Sequence, residues 1–470
     1  MTKKNQYDGF DIALTYALLI CGIALDSIAL LMFCVSDWTI ARLRNLKEDL
    51  YEMDTWADGV FNWILDFKTV RWRRSKCFGD GGHEVLKRNF MFRRWSEYVH
   101  AYNLIGFCLG IRPEKIHHTK GIHSFFDKTI HILCIDVIIN NVTRGTRQFG
   151  RFLTDLSKKD NQVMRTILLL PRLLVLLIYD FLDFFGIKDL VEEIRFTVSD
   201  RLTKELWEFI FTEVQQKHRF AEDQESAKAI SSARGNWTLV ETSSKKTENG
   251  LDHAVLLQYV TEKDYDQSIL LWHIATELFY QDQIKIQTTE KEEHSYREFS
   301  KILSDYMMYL IIVQPTLMSA VSGIAKIRFV DTCEEAKDFF KRRNIYKSKN
   351  EGSELVNEAS RVILSVNTDV EPMAVKGDRS KSVFFDASVL AKELRRLKDE
   401  GENMWEVVSK VWVEMLCYAA IHCSSQEHAS QLSKGGELID FVWLLMTHFG
   451  LGDQFQINRD DARAKLIVAK

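Results

Sequence analysis

The sequence predicts a mainly all-α chain, with one N-terminal transmembrane helix followed by helical cytosolic domains. Three observations carry this. Residues Ile12 to Ser36, IALTYALLICGIALDSIALLMFCVS, form an apolar run of about 25 residues with a single charge, Asp26, long enough to cross a hydrocarbon core of roughly 30 Å. Only 4 prolines and 22 glycines occur in 470 residues, so few breakers interrupt the chain. Between polar segments, leucine-rich stretches repeat their apolar positions at helical spacing.

The first run ends in Ser36-Asp37-Trp38 and then Arg42 and Arg44, without the small-residue cleavage site and short apolar core of a signal peptide. A span is therefore expected rather than a cleaved leader or a buried soluble helix. Lys3 and Lys4 precede the run; Arg42, Arg44 and Lys47 follow it, with Lys68, Arg71, Arg73, Arg74 and Lys76 beyond. The positive-inside tendency then leaves the bulk of the chain in the cytosol, held to membrane lipid. Asp26 within the span requires a partner helix or a locally hydrated defect.

A hydrophobic content of 46% is that of a folded chain, and the net charge of -4 with both signs mixed throughout excludes bulk electrostatic binding of nucleic acid. Eight cysteines without a Cys-x-x-Cys pair fit a reducing compartment. Composition divides the chain into an anchor at 1–40, a helical, partly membrane-associated domain at 41–220, a polar linker at 221–252, and a helical C-terminal domain at 253–340 and 384–456 with a polar insertion at 341–383.

In order, Trp38, Trp56, Trp63, Trp72 and Trp95 lie among basic residues, as on an amphipathic helix packed on its own domain. Phe90 to Leu109 and Ile122 to Ile139 carry apolar positions at helical spacing and predict core-facing helices. Ile167 to Phe185 is apolar but holds Pro171, Arg172, Asp180 and Asp183, which favours an interfacial or buried helix over a second crossing. Tyr306 to Ala325 is uncharged and about as long as a span, yet Gln314, Pro315, Ser319 and Ser322 point to a buried, kinked helix, followed by an amphipathic one from Glu334 to Phe340. In Val375 to Ala387 the glycine beside Lys376, Arg379 and Lys381 lacks the second glycine of a phosphate loop, and Ser382 or Asp386 is expected to cap a helix from Ala387 to Lys398. Trp405, Val408, Trp412, Met415 and Ala419 make a packing stripe, and Gly435-Gly436 separates one helix from another that stops at Gly450.

Chemistry-bearing residues are sparse. His273 and Glu277 stand four apart on one helix face, where they could ligate a metal or exchange a proton; a structural pair is the expected role. Cys417, His422, Cys423 and His428 are zinc ligands in type, but their spacing matches no standard site. No catalytic or cofactor-binding residue and no cofactor follows from the sequence.

The ordered segments HASQLSKGGELIDFVWLLMTHFGLGDQF, DQSILLWHIATELFY, YMMYLIIVQPTLM, KGDRSKSVFFDA and WVEMLCYAA resemble the C-terminal signature of a plant family with two neighbouring domains of unknown function, catalogued as DUF-4220 and DUF-594. GFDIALTYALLICGIALDSIALLMFCVSDWT resembles the last membrane helix of the first of these domains. The resemblance implies several membrane helices near the N-terminus, of which the upstream ones are missing here, and a helical cytosolic C-terminal domain; it transfers no catalytic residue. Asp440 stands where the family pattern leads one to expect Thr or a small residue. Together these readings describe an interaction or scaffold protein with an unknown protein partner. The alternatives are a metal-dependent hydrolase using His273, Glu277, His422 and His428, and a subunit of a channel or transporter.

Overall fold

The computed structural model describes residues 9–34, 71–75, 83–87, 98–113, 196–221, 223–244, 254–284, 291–348, 352–367, 382–433 and 435–451. The backbone divides into two compact units, Met1–Arg71 with Lys87–Arg93, and Trp72–Leu86 with Arg94–Lys470. In the first, the apolar run forms one continuous helix, α1 (Gly9–Cys34), of 26 residues. Side chains of α1 are described at 14–27 and 29–30, and over such residues no helix of the chain is long and apolar enough to cross a membrane.

The second unit is mainly helical. Strands β1 (Arg71–Ser75) and β2 (His83–Lys87) pair with each other, and β3 (Tyr98–Ala101) pairs antiparallel with β4 (Val198–Arg201), Tyr98 opposite Arg201 and Ala101 opposite Val198. The helices are α2 (Leu104–Leu109), α3 (Lys204–Arg219), α4 (Gln224–Ser231), α5 (Asn236–Ser244), α6 (Ala254–Thr261), α7 (Tyr265–Gln283), α8 (Lys291–Val313), α9 (Ala325–Arg342), α10 (Ser353–Leu364), α11 (Val383–Asp399), α12 (Met404–His422), α13 (Ser425–Ser433) and α14 (Leu438–His448).

Helix α7 is the centre. Every residue from Tyr265 to Phe279 is buried, as expected of a helix enclosed on all sides. Helices α8, α10 and α11 pack on it, α12 packs on α8, and α5 and α14 pack on α12. Trp412 Nε1 donates to Thr276 Oγ1 at 3.1 Å and the Trp405 ring stacks on Phe279 at 4.3 Å, so the stripe expected on α12 faces α7. Trp405, Val408, Trp412, Met415 and Ala419 are all fully buried. Helix α8 stops at Val313, one residue before the Gln314-Pro315 pair, because proline excludes helical geometry from the residue ahead of it. Ser382 caps α11, accepting the Phe385 N–H at 3.2 Å, so this helix starts four residues earlier than its periodicity suggests.

Several sequence expectations are corrected. The helix foreseen over Phe90 to Leu109 is, in its described part, strand β3 and then α2: Asn103, extended at φ -116°, accepts the Gly106 N–H at 2.7 Å and begins a new helix. The helical reading of the basic, tryptophan-rich segment gives way to a strand at Arg71–Ser75. The polar stretch 221–252 carries α4 and α5, and the polar insertion 341–383 carries α10, whose Val356, Ala359 and Ile363 are buried in the core. Trp38, Trp56, Trp63, Trp95 and the runs Ile122 to Ile139 and Ile167 to Phe185 lie outside the described residues.

Helix α5 shows why a polar segment folds here. Its opening backbone N–H groups have no partner within the helix. The fully buried Glu414 carboxylate of α12 accepts them from outside: Oε1 takes Gly235 N–H at 2.5 Å and Trp237 N–H at 3.0 Å, and Oε2 takes Thr238 N–H at 3.0 Å, Thr238 Oγ1–H at 2.7 Å and Lys217 Nζ at 2.7 Å. Burial alone would raise this carboxyl, but the Lys217 ammonium and the converging donors outweigh it and hold it below its usual range. Gly235 makes the approach possible, at φ +116° and with Val260 Cγ1 and Val411 Cγ1 3.0 and 3.1 Å from where a Cβ would sit. Replacing Glu414 by alanine strands the Lys217 charge and should cost about 3–5 kcal/mol in urea unfolding, whereas Lys217→Met added to Glu414→Ala should recover part of that loss.

Candidate functional site

A buried polar cluster forms where α7 meets α8 and the start of α2. His273 and Glu277 lie one turn apart on α7, as their spacing predicts, and both are buried. Lys301 Nζ, on α8, donates to Glu277 Oε2 at 2.7 Å and to Asp305 Oδ2 at 2.6 Å. Asn103 Nδ2 donates to Glu277 Oε2 at 3.0 Å and to Asp305 Oδ1 at 3.3 Å, and Gln281 Nε2 donates to Glu277 Oε1 at 2.9 Å. The Leu104 N–H donates to His273 Nε2 at 3.1 Å. With Nε2 an acceptor, the ring is neutral with its proton on Nδ1, 3.0 Å from Ser304 Oγ.

Electrostatics follow from this arrangement. Burial, reinforced by the Lys301 cation, lowers His273 to about 3. Burial raises Asp305 to about 6 against the pull of Lys301. In Glu277 the Lys301 ammonium overcomes the burial penalty and lowers the carboxyl, and the two carboxylates likewise overcome burial to raise Lys301. The ammonium thus stands where a cation bound by Glu277 and Asp305 would have to sit. Among the described residues no group of three His, Cys, Asp or Glu side chains is placed to hold a metal ion.

The other sequence candidates lie elsewhere. His422 Nδ1 is 2.8 Å from Tyr418 O, its ring stacked on Tyr418 at 4.0 Å. Burial pushes the Cys417 and Cys423 thiols up to about 12, and Cys423 Sγ rests 4.0 Å from Met318 Sδ. His428 is fully buried between two acceptors: Nε2 lies 2.9 Å from Ala420 O and must carry a proton, and Nδ1 lies 2.7 Å from Asp440 Oδ1. Its ring is stacked on Trp443 at 4.8 Å, while Asp440 Oδ2 accepts the Glu437 N–H at 2.6 Å. Asp440 thus serves as both capping residue and partner of His428. Around Val375 to Ala387, the start of α11 is occupied from within, because Ser382 Oγ donates to Glu335 Oε2 at 2.7 Å and Asp386 pairs with Lys263 at 3.3 Å. Gly377 and the neighbouring basic residues Lys376, Arg379 and Lys381 lie outside the described residues.

Sequence reasoning found His273 and Glu277 but missed Lys301, Asp305 and Asn103. A signal existed: Lys301 and Asp305 stand four apart just ahead of the apolar run YMMYLIIV, and Asn103 directly precedes the run LIGFCL.

Two family models match the chain: Domain of unknown function (DUF4220) over residues 1–108 and Protein of unknown function, DUF594, over residues 397–451. No curated protein and no solved structure matches it. The first match ends inside α2, and the second runs from the end of α11 through α14.

The cluster makes an unusual pH prediction. His273 is depressed on folding, so its contribution is present above about 6.5 and fades as pH falls toward 3; Asp305 is raised, so its contribution is present below about 4 and fades as pH rises through 6. Between about pH 4 and 6 the two slopes oppose each other, since folding in effect hands a proton from His273 to Asp305. Removing the compensating group with Asp305→Asn should expose a loss of about 1.4 kcal/mol per pH unit on acidification over this window, and His273→Gln should give the opposite slope. Urea unfolding at several pH values reads both.

Proposed function

We propose that this chain, in which a DUF4220 domain precedes a DUF594 domain, is a membrane-anchored interaction protein that presents its helical unit to a protein partner in the cytosol. The observation that carries the interaction reading is an exposed aromatic face on α3 and α14. Phe211 and Leu444 are 37% and 42% exposed. Around them Phe211 lies 5.8 Å from Phe449, His218 5.1 Å from Phe449 and Trp207 6.5 Å from Phe441. Aromatic side chains beside cationic ones such as Arg219 are the composition of binding surfaces, and they keep apolar area in water that a partner would cover.

The anchor reading draws on α1. At about 1.5 Å per residue its 26 residues reach well past the roughly 30 Å of a hydrocarbon core, and its described aliphatic side chains, among them Leu18, Leu19 and Ile20 on successive faces, are exposed. Arg42, Arg44 and Lys47 beyond this helix favour a cytosolic location for the remainder of the chain.

Deleting Gly435 to Gln456 would take Leu438, Ile439, Val442 and Met446 out of the core, so surface substitutions are the sounder test. Phe211→Ser with Leu444→Glu should leave the melting temperature within a few degrees and reduce a co-purifying partner about tenfold; a partner retained in full places binding on another face. For the anchor, membranes washed with alkaline carbonate should keep the chain in the pellet without an endoglycosidase-sensitive shift. Release into the wash removes the anchor reading, and a shift at Asn141 reverses the orientation. Asn236 is the weaker reporter, because the Thr238 hydroxyl of its acceptor triplet is buried against Glu414.

A further inference from the structure

We infer that residues 98–112 form a noncovalent tether, gripped like a peptide ligand by the chain that continues after residue 195, so that cutting the connection between them would not part the two pieces. The segment first adds strand β3 to β4, in the manner of strand addition at a sheet edge, and then buries α2. Val99, Tyr102, Leu104, Ile105, Cys108 and Leu109 are all buried. Its polar groups are taken up by the later chain as well. Tyr102 N–H donates to Asp305 O at 3.1 Å, Leu104 N–H to His273 Nε2 at 3.1 Å and Asn103 Nδ2 to Glu277 and Asp305. At the far end Tyr346 OH donates to Cys108 O at 2.9 Å, and Arg112 Nη2 donates to Thr197 O at 3.0 Å. Leaving would strip partners from Glu277, Asp305 and His273, three groups buried in the core, while freeing the apolar face of α2. Loss of a buried partner is more costly than the bond itself is worth. Every one of these contacts joins residues before 114 to residues after 195, so the grip does not depend on the peptide bonds between. Nor does it depend on α1 crossing a membrane.

The test uses the full chain with a specific protease site inserted after Gly145. Uncut, the variant must keep the helical circular dichroism and melting temperature of the parent. Cut, its two pieces should co-elute in gel filtration in detergent; separation of the pieces would overturn the inference. Asn103→Ala should speed their parting roughly ten- to hundredfold by leaving Glu277 and Asp305 short of a donor, and the milder Tyr346→Phe roughly fivefold. Lys204→Ala, which removes only the exposed pairs with Glu84 and Glu208, should change nothing. Co-elution that both Asn103→Ala and Tyr346→Phe leave untouched, or that Lys204→Ala abolishes, puts the hold elsewhere and equally overturns it.

Discussion

The rest of the structure depends on one constraint: α7 is enclosed on all sides, so the ionisable groups it buries have to be met by other parts of the chain. The helix bears Asp266, His273, Thr276 and Glu277 where water cannot reach. Each recruits a neighbour. Asp266 takes Arg328 Nη1 at 2.6 Å, Thr276 takes the Trp412 indole, Glu277 takes Lys301 and Asn103, and His273 takes the backbone of Leu104. The partners come from α9, α12, α8 and the segment that opens α2. Polar satisfaction thereby specifies which elements meet around α7, while the apolar surface supplies most of the drive to meet at all.

Legibility from sequence divides along the same line. Helical character, the stripe on α12 and the break at Gly435-Gly436 rest on local chemistry, which is written in consecutive residues, whereas the kinked helix expected across Pro315 is replaced by an end at Val313. Strand β3 was not legible, because Val99 and Tyr102, three apart, fit helical spacing and only pairing with β4, about a hundred residues later, makes the segment a strand. Helices α5 and α10 were hidden for a related reason: each is polar enough alone to read as a loop and owes its place to a few buried positions or to Glu414. Of the candidate site, the residues on one helix could be paired by spacing, but Lys301, Asp305 and Asn103 could not be attached to them without the fold.

The two domain matches also look different once folded. The end of the DUF4220 match contributes β3 and most of α2 to the same compact unit that holds the DUF594 match, with α7 and α8 between them. A boundary drawn by sequence similarity here cuts through a hydrophobic core. Lys301, outside both matches, serves a carboxylate on α7 and is bridged through Asn103 to the first of them.

The capping of α5 by Glu414 has a consequence for the order in which the chain acquires structure. Nine residues of sequence NWTLVETSS do not hold a helix in water, since nucleation is costly and Thr, Ser and Val pay more than most residues to join one. The carboxylate that satisfies its first turn lies about 180 residues downstream, so α5 has no reason to exist until α12 is in place. Residues 236–244 are therefore a late-forming element: during synthesis they leave the ribosome long before their cap does, and they wait as an unstructured polar segment for the C-terminal helices to arrive.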